Sequence, residues 1–334
     1  MNLLLTSIGK RIELIEHLKS CFRVIGVDAS PENPAGSFVD AFYQVPRCSE
    51  EGYVERLLSV CGQEKVSLLI PLYEAEFPFL DAARKRFEEI GVTLVLSERA
   101  VLDICDDKRG TAAFFEKYRI PAPKTLSAEE IQGMIAGGEG KYPVVIKPAD
   151  GMGSENVFFA KDRRELAFFY GYVDRALVQE CAPGREYTID VLCDFFGEPV
   201  YIVPRIRLEV RAGEVTKSRV DLQKRVIEET ERLLAALNKE GCVKGPMTIQ
   251  CFLTGDGEEI RFLEINPRFG GGVPLAFAAG ADYAAALAGM AERSAAERKE
   301  DMSETGKGWN PKAFREKEIK ELTMLRYTRA VYRE

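Results

Sequence analysis

A single histidine, His17, serves the whole 334-residue chain. That scarcity rules out a Ser-His-Asp triad and leaves no basis for a histidine-built metal site. His17 falls in an amphipathic helical pattern, so a packing or surface position is expected. Eight cysteines occur, at 21, 48, 61, 105, 181, 193, 242 and 251, but no CxxC pair. Several lie inside apolar runs, which predicts reduced, mostly buried thiols and a cytoplasmic protein. No long uncharged apolar run exists, so no membrane-spanning helix is expected. The first residues, MNLLLTSIGKRIEL, put apolar residues before charges. A secretory signal has the reverse order, so a first β-strand is expected. The net charge of −7 gives no general attraction to nucleic acid or to an anionic membrane. The GxGxxG fingerprint is also missing, since the first turn holds only Gly9. What remains is ordinary globular composition, 46% apolar and 30% charged, with length for about two domains.

Two styles of patterning divide the chain. Residues 2–6 read as a buried strand, 7–10 as a turn, 11–20 as a helix and 22–28 as a strand ending in an acid. Further segments at 42–45, 50–61, 67–71, 77–90 and 93–96 continue the strand–helix alternation. That alternation predicts a doubly wound parallel sheet. It ends near Cys105. From 142 to 265 the strands follow one another as an antiparallel meander, with one helix at 230–238. An alanine-rich helix is expected at 276–288. From Arg293 onward a surface helix and a loosely packed tail are expected.

Three polar clusters stand out. In EEIRFLEINPRFGGGV, residues 258–273, Glu264 alternates with its neighbours in step with Ile260 and Phe262. Glu264, Asn266 and Arg268, spaced i, i+2, i+4, leave an extended chain on one face. A carboxylate beside an amide oxygen offers hard ligands of the kind Mg²⁺ takes. The arginine suits a phosphoryl oxygen, and three glycines allow close backbone approach. Alone, the stretch reads equally as a solvated strand end and a glycine turn. In the second cluster, YPVVIK ends in Lys147 and runs into PADGMGS, then VFFA. This is a strand–glycine loop–strand unit, whose backbone N–H groups can fold over phosphates. Alone it reads as a plain hairpin. The third comprises ALVQEC, REYTIDVL with Glu186, Thr188 and Asp190 on one face, and MTIQCFL with Gln250. Between them, PRIRLEVR carries Arg205, Arg207 and Arg211, which either clamp a carboxylate or are solvated strand charges.

In this order and spacing the clusters resemble the ATP-grasp superfamily, especially carbamoyl-phosphate-synthetase-like ligases, from residue 1 to about 290. The resemblance implies a fold: an α/β N-terminal domain with a doubly wound parallel sheet, then an α+β ATP-grasp fold with antiparallel sheets. It divides the chain into a preceding domain (1–105), a small lid subdomain (106–178), a large subdomain (179–300) and a C-terminal surface helix or tail (301–334). It implies ATP and Mg²⁺, typically two ions, as cofactors. Lys108 and Lys147 would bind phosphates, and Asp150, Gly151, Gly153 and Ser154 would form the lid over them. Gln179, Glu180 and Ala182 would meet the adenine and ribose, with Glu186 nearby. Glu264, Asn266 and Gln250 would hold the metal. Lys147 and Arg268 would act on the transferred phosphoryl group. Arg205, Arg207, Arg211 and Gly271 would border the acceptor, the segment from Pro204 through Ser218 forming a loop that faces it. The implied chemistry is carboxylate activation as an acylphosphate, then attack by an amine or similar nucleophile. The implied partners are thus a small carboxylate and an amine, with neither nucleic acid nor membrane; a homodimer is left open. The chain has one grasp unit, where carbamoyl phosphate synthetase carries two and an amidotransferase partner. It also lacks a biotin-carboxylase-length C-terminal domain. Both departures argue against those two activities. The rival reading is a catalytically silent ATP-binding regulatory protein of the same fold.

Overall fold

The computed structural model describes residues 1–150, 156–211, 213–298 and 309–332. Leu3, Leu4 and Leu5 are fully buried, as a central parallel strand covered on both faces requires. That strand is β1 (Asn2–Thr6). It joins β2 (Arg23–Asp28), β3 (Ala41–Gln44), β4 (Leu68–Pro71) and β5 (Thr93–Leu94) in a parallel sheet of order β3-β2-β1-β4-β5. The order changes direction between β1 and β4. In open α/β sheets ligands bind outside the carboxyl ends of strands at such a switch point. The turn after β1 and the loop after β4 both lie there. The acid ending β2 is used locally: Gly9 N–H donates to Asp28 Oδ2 at 2.9 Å.

A three-stranded antiparallel sheet, order β7-β6-β8, follows: β6 (Val144–Pro148), β7 (Phe158–Ala160) and β8 (Ala176–Glu180). The larger antiparallel sheet comprises β9 (Arg185–Cys193), β10 (Pro199–Arg211), β11 (Glu214–Val220), β12 (Gly245–Leu253), β13 (Ile260–Asn266) and β14 (Thr323–Leu325). Its order is β13-β12-β9-β10-β11-β14. Alternation along β9 and β12 gives it two unlike faces. Tyr187, Ile189, Val191, Met247, Ile249 and Cys251 pack on one side beneath the helix Lys224–Leu237. Glu186, Thr188, Asp190, Arg205, Arg207, Thr248 and Gln250 stand on the other; all but the buried Asp190 line a cleft.

Several expectations change. Residues 204–218, which the resemblance implies as a loop facing the acceptor, fall in the β10–β11 hairpin instead. The alanine-rich helix is two, Pro274–Ala278 and Tyr283–Arg298, because Gly280 turns left-handed at φ +116 between them. The tail expected to be loosely packed is not: β14 pairs with β11, and Trp309, Phe314, Ile319, Leu322 and Met324 join the core. Their spacing fits neither a helix nor a strand, so no periodic signal marks them. All eight cysteines are free, three buried, four half-buried and Cys21 exposed, so burial is less general than expected. His17 packs, stacked on Phe277 at 4.0 Å, and its Nε2 accepts from Ala284 N–H. Among the described residues, no helix is long and apolar enough to cross a membrane.

Candidate active site

The two antiparallel sheets and the carboxyl end of the parallel sheet enclose a cleft of about 1560 Å³. Its key strand is β13. Regular alternation would bury Glu264 with Ile260 and Phe262, both core residues. Instead Gln250 pairs with Glu264 and Cys251 with Phe262, so Leu263 is an extra, bulged residue. The bulge reverses the phase of the strand. Ile265 therefore turns into the core, while Glu264 and Asn266 line the cleft. Across the sheet, Glu264 faces Gln250, Gln250 faces Thr188 and Thr188 faces Arg205. Such directly opposed side chains are within reach of one another. Asn266 Nδ2 donates to Glu264 Oε1 at 3.1 Å, leaving its own carbonyl oxygen free of that bond.

Beyond the strand, the chain bends at Arg268, whose N–H donates to Asn266 O. Arg268 Nε lies 3.2 Å from Glu74 Oε1. The contact is an ion pair without hydrogen-bond geometry, and among the described residues that buried oxygen has no hydrogen-bond partner. Burial pushes the Glu74 carboxyl up, against the pull of Arg268. Glu74 comes from the loop after β4, so the first domain closes one end of the site.

Lys147 lies on β6 and lines the cleft. Burial pushes its ammonium down to about 8, with Glu264 opposing the shift and Lys108 adding to it. Lys108 begins the helix Lys108–Tyr118 and lines the same cleft. Asp150 is bridged through Arg175, at 2.6 Å, to Asp107, at 2.9 Å. Gly151, Gly153 and Ser154 lie outside the described residues. Gln179, Glu180 and Ala182 line the cleft. The Gln179 side chain is turned to Thr125 Oγ1 at 2.9 Å, and Glu180 N–H donates to Lys124 O at 3.0 Å.

The three candidate arginines separate. Arg205 is 3% exposed and pairs with Asp190, Nε to Oδ2 at 2.7 Å. It is not a solvated strand charge. Arg207 donates to Glu186 Oε1 at 2.5 Å and to Gln250 Oε1 at 3.2 Å. Arg211 is elsewhere: its side chain is 78% exposed and pairs with Glu209. An irregularity between Arg207 and Glu209 breaks the alternation that would have carried Arg211 to the cleft.

The glycine turn is tight because Arg205 fills the space beside it. A Cβ on Gly272 would sit 2.5 Å from Arg205 Cζ, and one on Gly270 would sit 2.8 Å from Thr248 Oγ1. Gly272→Ala is therefore expected to destabilise the fold by about 1–3 kcal/mol, as overpacking does. A urea midpoint unchanged by that substitution would refute the crowding.

Sequence reasoning missed Glu74, Arg11 and Arg326, all of which line the cleft. Glu74 follows an apolar strand, a weak signal; Arg326 has none.

The metal-binding candidates are one carboxylate, Glu264, and two amides, Gln250 and Asn266. Among the described residues, no three His, Cys, Asp or Glu side chains gather as a metal site. A closed, all-protein metal cage is thus not present there. The donor set does fit Mg²⁺, which takes one or two carboxylates and completes its shell with phosphate oxygens and water.

Residues 105–272 match the family described as ATP-grasp domain, and residues 3–95 match the one described as PylC-like, N-terminal domain. The chain belongs to the ATP-grasp family. It is similar to the carbamoyl phosphate synthase arginine-specific large chain of Halalkalibacterium halodurans, 25% identical over 268 residues. That match takes in 76% of this chain and 24% of the relative, so the chain spans about a quarter of its length. Among solved structures, biotin carboxylase from Campylobacter jejuni superposes with a TM-score of 0.67 at 16% identity, covering 86% of this chain and 70% of that one. N5-carboxyaminoimidazole synthetase from Staphylococcus aureus, complexed with ADP, gives 0.68 at 13% identity, covering 83% and 73%. At such identities the likeness is one of fold.

Proposed function

We propose that the chain is an ATP- and Mg²⁺-dependent ligase that activates a carboxylate as an acylphosphate for attack by an amine or similar nucleophile. The observation that supports it most is the convergence of Lys147, from β6, with Glu264, Asn266 and Arg268, from the end of β13 and the turn after it, on one cleft. A purely structural set of charges would be expected to pair off locally. Lys147 instead stays desolvated, with no ion pair among the described residues and only the field of Glu264 to offset it, an arrangement suited to an anion yet to arrive. The same reading divides the chain near residues 105 and 178.

In this reading the backbone of Gln179, Glu180 and Ala182 meets the purine and Glu180 the ribose. Lys108 and Lys147 hold the phosphates under a lid that includes Asp150, Gly151, Gly153 and Ser154. Glu186 and Gln250 are set in place by Arg207. Glu264, Asn266 and Gln250 hold Mg²⁺, which when bound neutralises phosphate charge. Arg205 and Gly271 border the acceptor. A carboxylate oxygen attacks the γ-phosphorus, and the bond to the β,γ-bridging oxygen breaks as ADP leaves. Arg268 and Lys147 stabilise the charge on the transferred group. The amine then attacks the acyl carbon, the carbon–oxygen bond to phosphate breaks, and the amine's proton passes to solvent. Phosphoryl transfer of this kind needs positioning and charge more than a protein nucleophile, consistent with one histidine placed elsewhere.

The test is phosphate release from MgATP across amino acids and small carboxylates, offered singly and in pairs. Release that requires two partners supports the ligase. ATP binding without release under any pair supports the regulatory alternative. The state of Lys147 adds a pH test. Below about pH 8 its ammonium is charged and meets the phosphates directly. Above it the amine is neutral, and binding must recruit a proton. MgATP affinity is therefore expected to fall as pH rises through 8. In Lys147→Arg, which does not titrate there, the decline should vanish.

A further inference from the structure

Four arginines from four places in the chain surround the Gly271–Gly272 turn. Arg205 presses against Gly272, as described. A Cβ on Gly271 would lie 3.5 Å from Arg11 Nη1. Arg326 Nη2 donates to Gly271 O at 2.7 Å. Arg268 precedes the turn. Three of the four have an acid: Asp190 for Arg205, Glu74 for Arg268, and Glu13, at 3.3 Å, for Arg326. Arg11 has no ion pair within 4 Å among the described residues. Glu214, the acid that could serve it, is bound to Lys10 at 2.6 Å. Burial and the like charges of Arg268 and Arg326 push Arg11 down to about 10. Arg205 Nη1 is also buried, without a hydrogen-bond partner among the described residues. The turn thus has one guanidinium too many and one buried N–H too many.

A half-buried cation without an acid is costly unless a ligand supplies the missing anion. The phosphate lysines come from elsewhere: Lys147 lies on β6 and Lys108 at the start of its helix, whereas Arg11 and Arg326 meet at Gly271, beyond Arg268. Arg268 and Glu74 are common neighbours of both sets. We propose that the acceptor carries a second carboxylate, apart from the one activated, and that Arg11 and Arg326 hold it beside Gly271 and Gly272. The proposal rests on the ligase reading for the word acceptor, while the anion subsite stands on its own geometry. The second carboxylate belongs either to an amino acid or to a plain dicarboxylate; guanidinium forks bind both alike. The first domain and the C-terminal segment thereby select the substrate, since Arg11 follows β1 and Arg326 follows β14.

The test is thermal unfolding at fixed ionic strength with succinate, glutarate, L-aspartate or L-glutamate, and acetate as the singly charged control. At least one doubly charged probe should raise the Tm of the native chain beyond acetate. Protection by succinate or glutarate assigns the site to plain dicarboxylates; protection by the amino acids alone assigns it to an amino acid. The excess shift should vanish in Arg11→Gln and in Arg326→Gln, persist in part in Arg11→Lys, and survive in Lys147→Ala. If Arg11→Gln does not fold, Arg11→Lys and Arg326→Gln carry the comparison. No excess protection, or equal protection in Arg11→Gln and Arg326→Gln, overturns the proposal. Protection that depends on Arg11 without carboxylate-dependent phosphate release would keep the subsite and remove the ligase. Release with an acceptor KM unchanged in Arg11→Gln would do the reverse; the subsite predicts a KM raised at least tenfold.

Discussion

Lys147→Ala is expected to slow acceptor-dependent phosphate release by about 10²–10³-fold, the usual cost of removing one preorganised charge from a transition state. The ammonium is desolvated, and its pull on a phosphate oxygen is not screened as it would be at the surface. The acid that offsets it, Glu264, is proposed as a Mg²⁺ ligand, so the positive charge is left for the nucleotide. The loss should fall on both kcat and ATP affinity, because the same charge meets the phosphates before and during transfer. Lys147→Arg should recover part of the rate, keeping charge but changing reach. Steady-state phosphate release checks this. A rate within about twofold of the native chain would remove Lys147 from the phosphate site.

Asp190→Ala should have the largest effect on stability, about 3–5 kcal/mol. Arg205 and Asp190 have side chains only 3% and 1% exposed. Their contact is two-pronged, Nε to Oδ2 at 2.7 Å and Nη2 to Oδ1 at 3.4 Å. Removing the acid strands a guanidinium that already has one unpartnered nitrogen. Water cannot readily reach it, because Gly270 and Gly272 close over the pair. Asp190→Ala combined with Arg205→Met should recover much of the loss, since it removes the isolated charge. Urea unfolding of the two variants measures both terms. A single variant as stable as the double one would mean that the pair is not coupled.

The sequence reading reached Glu264, Asn266 and Arg268 through their spacing, and all three line the cleft. It assigned Glu264 to the face of Ile260 and Phe262, which are buried. Only the bulge at Leu263 frees it, and no residue type announces a bulge that glycine does not make. Lys147 was legible because a strand ending in lysine before glycines is a local pattern. Glu74 and Arg268 stand almost 200 residues apart, so their pairing has no local signature. Arg205 and Arg211 look alike in PRIRLEVR, yet one is buried on Asp190 and the other is exposed. A register irregularity between them decides that, and register is a property of the partner strand. The parallel sheet was readable from its buried runs. The C-terminal strand was not, because three residues pairing with β11 carry no period of their own.

The central claim is that a carboxylate is activated by phosphorylation. Once the panel identifies an acceptor, the direct measurement uses that acceptor with its carboxylate labelled by ¹⁸O. The account predicts that one labelled oxygen appears in the released phosphate and that ADP carries none. Unlabelled phosphate accompanying a formed product would contradict the acylphosphate and, with it, the ligase assignment.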